Sequence, residues 1–185
     1  MVEEAFSDAI KRFGEKMVEG RYKEAFKIRE DHSLPHDMIG KYVEAAFAEC
    51  IKLGQYSVAA ELGRSYHLPE ERVREAASRS FQRKLESEQY SAAAKYAKEY
   101  NLPQEMVREA AMKAFHKSMD FGLIKNAARI AEDFDLPDDL KEEAALAAFQ
   151  AFMEAGLYRK AIKHATKYNL SPDLIIEAKL RAREG

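Results

Sequence analysis

The side chains capable of acid–base, nucleophilic or metal chemistry are few and scattered along the chain. The five histidines are His32, His36, His67, His116 and His164. His32 and His36 are four residues apart, the spacing of two ligands on one helical face. Pro35 lies between them, however, and proline does not continue a helix. The zinc pattern His-Glu-x-x-His and a glycine-rich phosphate loop are both missing from the sequence. Cys50 is the single thiol, which excludes an internal disulfide framework and a multi-cysteine metal site. It sits beside Ile51 in a helical stretch and reads as a packing residue rather than a nucleophile. The adjacent carboxylates Asp138-Asp139 and Glu142-Glu143 fall at the start of an expected helix, where they complement its positive end. No catalytic residues, no metal set and no cofactor motif emerge, so the expectation is a protein that is not an enzyme.

A basic ladder carries more signal. Arg79 and Arg83 are four apart on one helix face, and Lys113 and Lys117 repeat them 34 residues later, with His116 adjoining. Stacked helices would turn these into a positive patch able to hold an acidic peptide or a nucleic-acid backbone. Glu75 with Arg79 and Glu109 with Lys113 are also i,i+4 pairs of the kind that support a solvated helix. The ladder stops in both directions, at Ala45 and Glu49 and at Ala147 and Ala151. With 30 basic against 32 acidic side chains the formal charge is −2, which argues against a generic nucleic-acid binder. Such binders also interleave aromatic residues with their cations, whereas the aromatic columns here are expected to be buried. The varied column Glu15, Glu49, Arg83, Lys117, Ala151 is what a partner-reading surface looks like. The candidate partner-binding residues are therefore Arg79, Arg83, Lys113, Lys117, His116 and Glu49. At the two ends of the chain, Phe6 with Ile10 and Ile176 with Leu180 place large apolar residues where a lone repeat array should be polar. They are candidates for self-association, giving a monomer or a weak homodimer through the terminal helices.

These residues need a scaffold, and the sequence supplies a periodic one. Leu34, Leu68, Leu102, Leu136 and Leu170 are spaced 34 apart, as are Phe13, Phe47, Phe81, Phe115 and Phe149, and Ala25, Ala59, Ala93, Ala127 and Ala161. Gly20, Gly54, Gly122 and Gly156 keep the same step, with Glu88 as the exception. Fixed periods of this length mark repeat architectures. Each copy reads as two helices. In residues 69–102, Val73, Ala77, Phe81 and Leu85 recur every four positions, and Tyr90, Ala93, Ala97 and Tyr100 form a second, shorter stripe. Glycine at the join suits the left-handed residue that ends a helix. Leu-Pro followed by acidic residues suits the start of the next one, and Ser171 is the expected N-cap of the last helix. One hairpin cannot bury enough surface to offset its ordering entropy, but neighbouring hairpins can share a core.

The 34-residue hairpin with Gly-x-Tyr-x-x-Ala opening its second helix, as in Gly20-Tyr22-Ala25, Gly54-Tyr56-Ala59 and Gly156-Tyr158-Ala161, resembles the tetratricopeptide repeat. The chain departs from that family in having no tryptophan and in placing its phenylalanine column where the family has a small glycine. None of its positions matches the family's peptide-clamping residues. The resemblance implies an all-α, right-handed α-α superhelix, a solenoid of five helical hairpins (1–34, 35–68, 69–102, 103–136 and 137–170) with a capping helix in 171–185, all in a single domain. It also implies a protein–protein interaction scaffold that holds a peptide or helix of a partner on its surface. The alternative is an RNA-binding helical repeat that uses the basic patch. No apolar run approaches the ~18 residues of a membrane span, and the sequence begins without a signal-peptide pattern, so the expected location is cytoplasmic.

Overall fold

A computed structural model describes the backbone of residues 2–184 and the side chains of 6–183. The described residues form eleven helices and no strand. Six helices open 34 residues apart: α1 (Val2–Val18), α3 (His36–Lys52), α5 (Glu70–Glu86), α7 (Gln104–Asp120), α9 (Asp138–Glu154) and α11 (Pro172–Glu184). Between them lie the shorter α2 (Tyr22–His32), α4 (Tyr56–Ser65), α6 (Tyr90–Glu99), α8 (Ile124–Asp133) and α10 (Tyr158–Lys167), whose starts keep the same step. The helix boundaries therefore follow the leucine and phenylalanine columns of the sequence.

The turns explain why the boundaries are so regular. After each long helix the chain enters the left-handed region, at Gly20, Gly54, Gly122 and Gly156 and, without glycine, at Glu88 with φ 53°. The next residue closes the turn with a bond back across it, as in Gln55 N to Cys50 O at 2.8 Å and Gln89 N to Lys84 O at 2.8 Å. This is the six-residue C-capping bond of a Schellman motif. The same device closes the short helices at Ser33, His67, Asn101, Asp135 and Asn169, all with positive φ. Here the bond is made by the leucine column: Leu68 N to Gly63 O, Leu102 N to Ala97 O and Leu136 N to Ala131 O, each at 2.9 Å. Each of these leucines is buried, as the hydrophobic contact of that motif requires. The prolines sit one position earlier than the first-turn placement read from the sequence. Pro35, Pro103 and Pro137 are the extended N-cap residues of α3, α7 and α9. Only Pro172 opens its helix, with the Ser171 hydroxyl accepting from the Asp173 amide at 3.4 Å.

The chain divides into two compact units, Met1–Arg83 and Lys84–Gly185, with the boundary inside α5. In the first unit α1 packs on α2 and α3, and α3 on α4. In the second, α6 packs on α7, and each following helix packs on the next through α11. The alanine column from Ala25 to Ala161 is fully buried, and the phenylalanine column from Phe13 to Phe149 is at most 5% exposed. One-carbon side chains let helix backbones approach, while the phenyl rings fill the wider gaps at close packing. At the end of the second unit, Ala145, Phe149, Ala161, Ala165, Leu170 and Ala178 form one core, so α11 covers the α9–α10 pair. Among the described residues no helix is long and apolar enough to cross a membrane.

Candidate interaction surface

The cations of the ladder divide between the units. In the first, Tyr56 opens α4 and its ring carries two guanidinium groups from α5, Arg83 at 4.8 Å and Arg79 at 5.6 Å from the centroid. Arg83 also donates to the Gly54 carbonyl at 2.7 Å. Arg79 is paired with Glu75 at 2.7 Å. Its hydrogen bond to Tyr56, with Glu75 close by, holds its pKa above the ordinary arginine value. A Cβ added at Gly54 would lie 2.6 Å from a terminal nitrogen of Arg83. The φ of 69° favours glycine at this turn, and the Arg83 guanidinium lies across the place a Cβ would take.

The second unit repeats the arrangement with different residues. Lys117 lies 5.4 Å from the Tyr90 centroid and reaches back to residue 88, as Arg83 reaches back to residue 54. It donates to the Glu88 carboxylate at 2.8 Å and to the Glu88 carbonyl at 3.4 Å. The hydrogen bond from Lys117 lowers the Glu88 pKa below the usual carboxylate value. Lys113 is paired with Glu109 at 2.7 Å. The slimmer lysine leaves room for a side chain at the turn, and that side chain is the acid that receives it. Where the corresponding residue is Ala151, a Cβ at Gly122 would meet nothing within 4 Å. All four cations of the ladder therefore hold tertiary or helical contacts within their own unit. His116 is exposed, with its ring edge-on to Phe115 at 5.4 Å. Glu49 is exposed and pairs with Lys52 at 3.3 Å.

A groove in the first unit, which the sequence reading missed, runs between α2 and α4. It is lined by Tyr22, Phe26, Val58, Leu62 and Tyr66, with Lys23 and Glu61 at its rim, and encloses about 570 Å³. The Tyr22 hydroxyl lies 3.2 Å from the buried Cys50 thiol. Burial, followed by that bond, pushes the Tyr22 pKa up to about 12. The Tyr66 ring packs edge-on against Phe13 and Phe26 at 5.8 and 6.2 Å, with Arg29 5.2 Å above it. Its hydroxyl is buried without a hydrogen-bond partner, and burial pushes its pKa up to about 12 as well. Tyr66 is 1% exposed, and Phe134, two 34-residue steps on, is buried as well.

The terminal candidates differ from each other. Phe6 and Ile10 on α1 are half-buried, whereas Ile176 and Leu180 on α11 are each 54% exposed. Leu180 belongs to a column of the second unit that also contains Met112 on α7 and Leu146 on α9, half-buried and exposed respectively. Nearer the hairpin turns, Phe121, Leu123 and Leu157 are exposed. Leu123 also lines a cleft of about 430 Å³ with Ala148, Ala151 and Phe152. No group of histidine, cysteine and carboxylate side chains among the described residues is placed to hold a metal ion. Comparison with protein-family models, with curated proteins and with solved structures gives no match.

Proposed function

We propose that this chain is a non-catalytic, tetratricopeptide-like helical-repeat scaffold that holds a peptide or helix of a partner protein on its surface. The observation that carries this reading is the set of large apolar side chains left in solvent: Met38, Leu146, Ile176 and Leu180 on helix faces, and Val18, Leu53, Phe121, Leu123 and Leu157 at helix ends and turns. Contiguous exposed apolar surface marks interaction sites, and Leu123 adjoins Ala148, Ala151 and Phe152 in one cleft. Repeated hairpins present such surface over an extended area.

The engagement of the ladder cations supports a protein partner over RNA. Arg79, Arg83, Lys113 and Lys117 each have a carboxylate, a carbonyl or a tyrosine ring as neighbour. A nucleic-acid backbone would have to displace these contacts before gaining its own. Selection of a random peptide library against the full chain, with filter binding of single-stranded RNA at two salt concentrations beside it, tests the reading. The expected result is enrichment of peptides that bind in titration calorimetry, with no RNA retention at physiological salt. RNA binding that falls steeply with salt, with no peptide enriched, overturns it.

A further inference from the structure

We infer that the outward face of α7, α9 and α11 in the second unit is the docking surface for a basic amphipathic helix of a partner protein. This rests on the scaffold reading above and names its surface and the chemistry of its partner.

The three helices share the second unit and are bridged in order, α8 packing on both α7 and α9, and α10 on both α9 and α11. Their apolar residues fall in one column, Met112, Leu146 and Leu180, with Ile176 one helical turn before Leu180. The same column in the first unit reads Ile10, Glu44, Ser78. It is apolar in three successive copies only on α7, α9 and α11. Leu146 is 36% exposed and Ile176 and Leu180 54%, so each keeps part of its side chain in solvent.

The charge beside this stripe has one sign along two further columns. Seven positions before the stripe run Glu105, Asp139 and Asp173, and three positions before it run Glu109, Glu143 and Glu177. Helical geometry puts residues three and seven apart on one side of a helix, so both columns border the apolar one. All six of these residues are exposed. Only Glu109 is ion-paired, to Lys113; the other five carboxylates hold no ion pair. Of the cations on this side, Lys113 is already opposed by Glu109, and Arg108 lies in the field of Asp135. Lys179, Arg181 and Arg183 border the stripe only at its α11 end.

The chemistry of the occupant follows. An apolar stripe between carboxylate columns takes an amphipathic segment whose aliphatic residues meet the stripe and whose lysines or arginines meet the carboxylates. Residues seven apart on a partner helix are about 10.5 Å apart and share one face. A partner helix laid over this face presents its apolar stripe as aliphatic residues at i, i+7 and i+14. A second copy of this chain fits less well. A two-fold dimer brings the same patch against itself, which would set Glu143 and Glu177 against their own kind.

The test uses the full chain and two fluorescein-labelled helical peptides. One carries leucine at i, i+7 and i+14 flanked by lysine; the other is identical with glutamate in place of lysine. Fluorescence anisotropy is expected to show binding of the lysine peptide at least tenfold tighter than the glutamate peptide. The double variant Leu146→Asp, Leu180→Asp should weaken the lysine peptide at least tenfold. Glu143→Lys with Glu177→Lys should do the same and flatten its salt dependence. All four positions are exposed, so the variants should keep the parent's helical circular dichroism. Equal binding of the two peptides, no binding of either, or unchanged affinity in the variants overturns the proposal. So does a parent dimer that the Leu146→Asp variant dissociates in sedimentation velocity. If library peptides are enriched but bind the variants unchanged, this surface fails while the scaffold reading stands. If the library enriches nothing, the scaffold reading fails itself.

Discussion

Replacing Gly54 with alanine should cost distinctly more than replacing Gly122 with alanine, although both have nearly the same positive φ, 69° and 67°. A non-glycine residue in the left-handed region costs about 1–2 kcal/mol. The loss of unfolded-state freedom on changing glycine to alanine returns about 0.4–1 kcal/mol. Gly122→Ala, whose Cβ meets nothing within 4 Å, should therefore destabilise by roughly 0–1.6 kcal/mol. At Gly54 the new Cβ would lie 2.6 Å from a terminal nitrogen of the flexible Arg83 side chain, so the guanidinium must shift. It then forfeits a hydrogen bond worth about 0.5–1.5 kcal/mol and a ring contact worth about 0.5–1 kcal/mol. Together these can add at most about 2.5 kcal/mol to the Gly54→Ala penalty. For a chain of this length each kcal/mol lowers Tm by about 2–4 °C. Urea denaturation followed at 222 nm, with Arg83→Ala as a second background, isolates the clamp. The excess should vanish once Arg83 is gone, because only the backbone strain is left. Equal penalties at the two glycines, or an excess that persists without Arg83, would refute the clamp.

Three further outcomes follow from the same structure. Leu136→Ala removes a buried side chain at a helix-ending turn and should cost about 2–5 kcal/mol in urea denaturation; a loss below about 1 kcal/mol would mean that the turn leucines are not anchors. The Cys50 thiol, 1% exposed, should react with a disulfide reagent only after denaturant is added, and immediate reaction of the native protein would contradict its placement. Tyr22 and Tyr66, held at about 12 in the folded chain against an ordinary value of 10.0, give stability that is complete below pH 10 and falls between pH 10 and 12. In that window the unfolded chain releases protons that the folded one retains. Tyr66→Phe should make the alkaline loss of stability shallower, and an unchanged slope would count against its burial.

Much of the fold was legible because a single period imposes itself on every level. The alanine and phenylalanine columns fix which faces meet, and the glycine and leucine columns fix where helices end. The second set of left-handed residues was harder to see, because Ser33, His67, Asn101, Asp135 and Asn169 share a backbone conformation rather than a residue type. Their common signal was the following leucine, which makes the capping bond. Glu88 looked like a defect in the glycine column until Lys117 was seen to reach its carboxylate. Likewise the ladder of Arg79, Arg83, Lys113 and Lys117 could be read from spacing as a patch. Its contacts with Tyr56, Tyr90, Gly54 and Glu88 lie 23 to 29 residues away in the chain and depend on which side chain fits over each turn. The α2–α4 groove was invisible for a similar reason: Tyr22, Phe26, Val58, Leu62 and Tyr66 become neighbours only when two short helices pack.

The claim on which the account stands is that helix and turn recur every 34 residues. Backbone Cα chemical shifts of the full chain in solution test it most directly. Helical shifts should be interrupted at residues 20, 54, 88, 122 and 156, and again at 33, 67, 101, 135 and 169. Helical shifts running through those positions, or breaks at a different spacing, would contradict it.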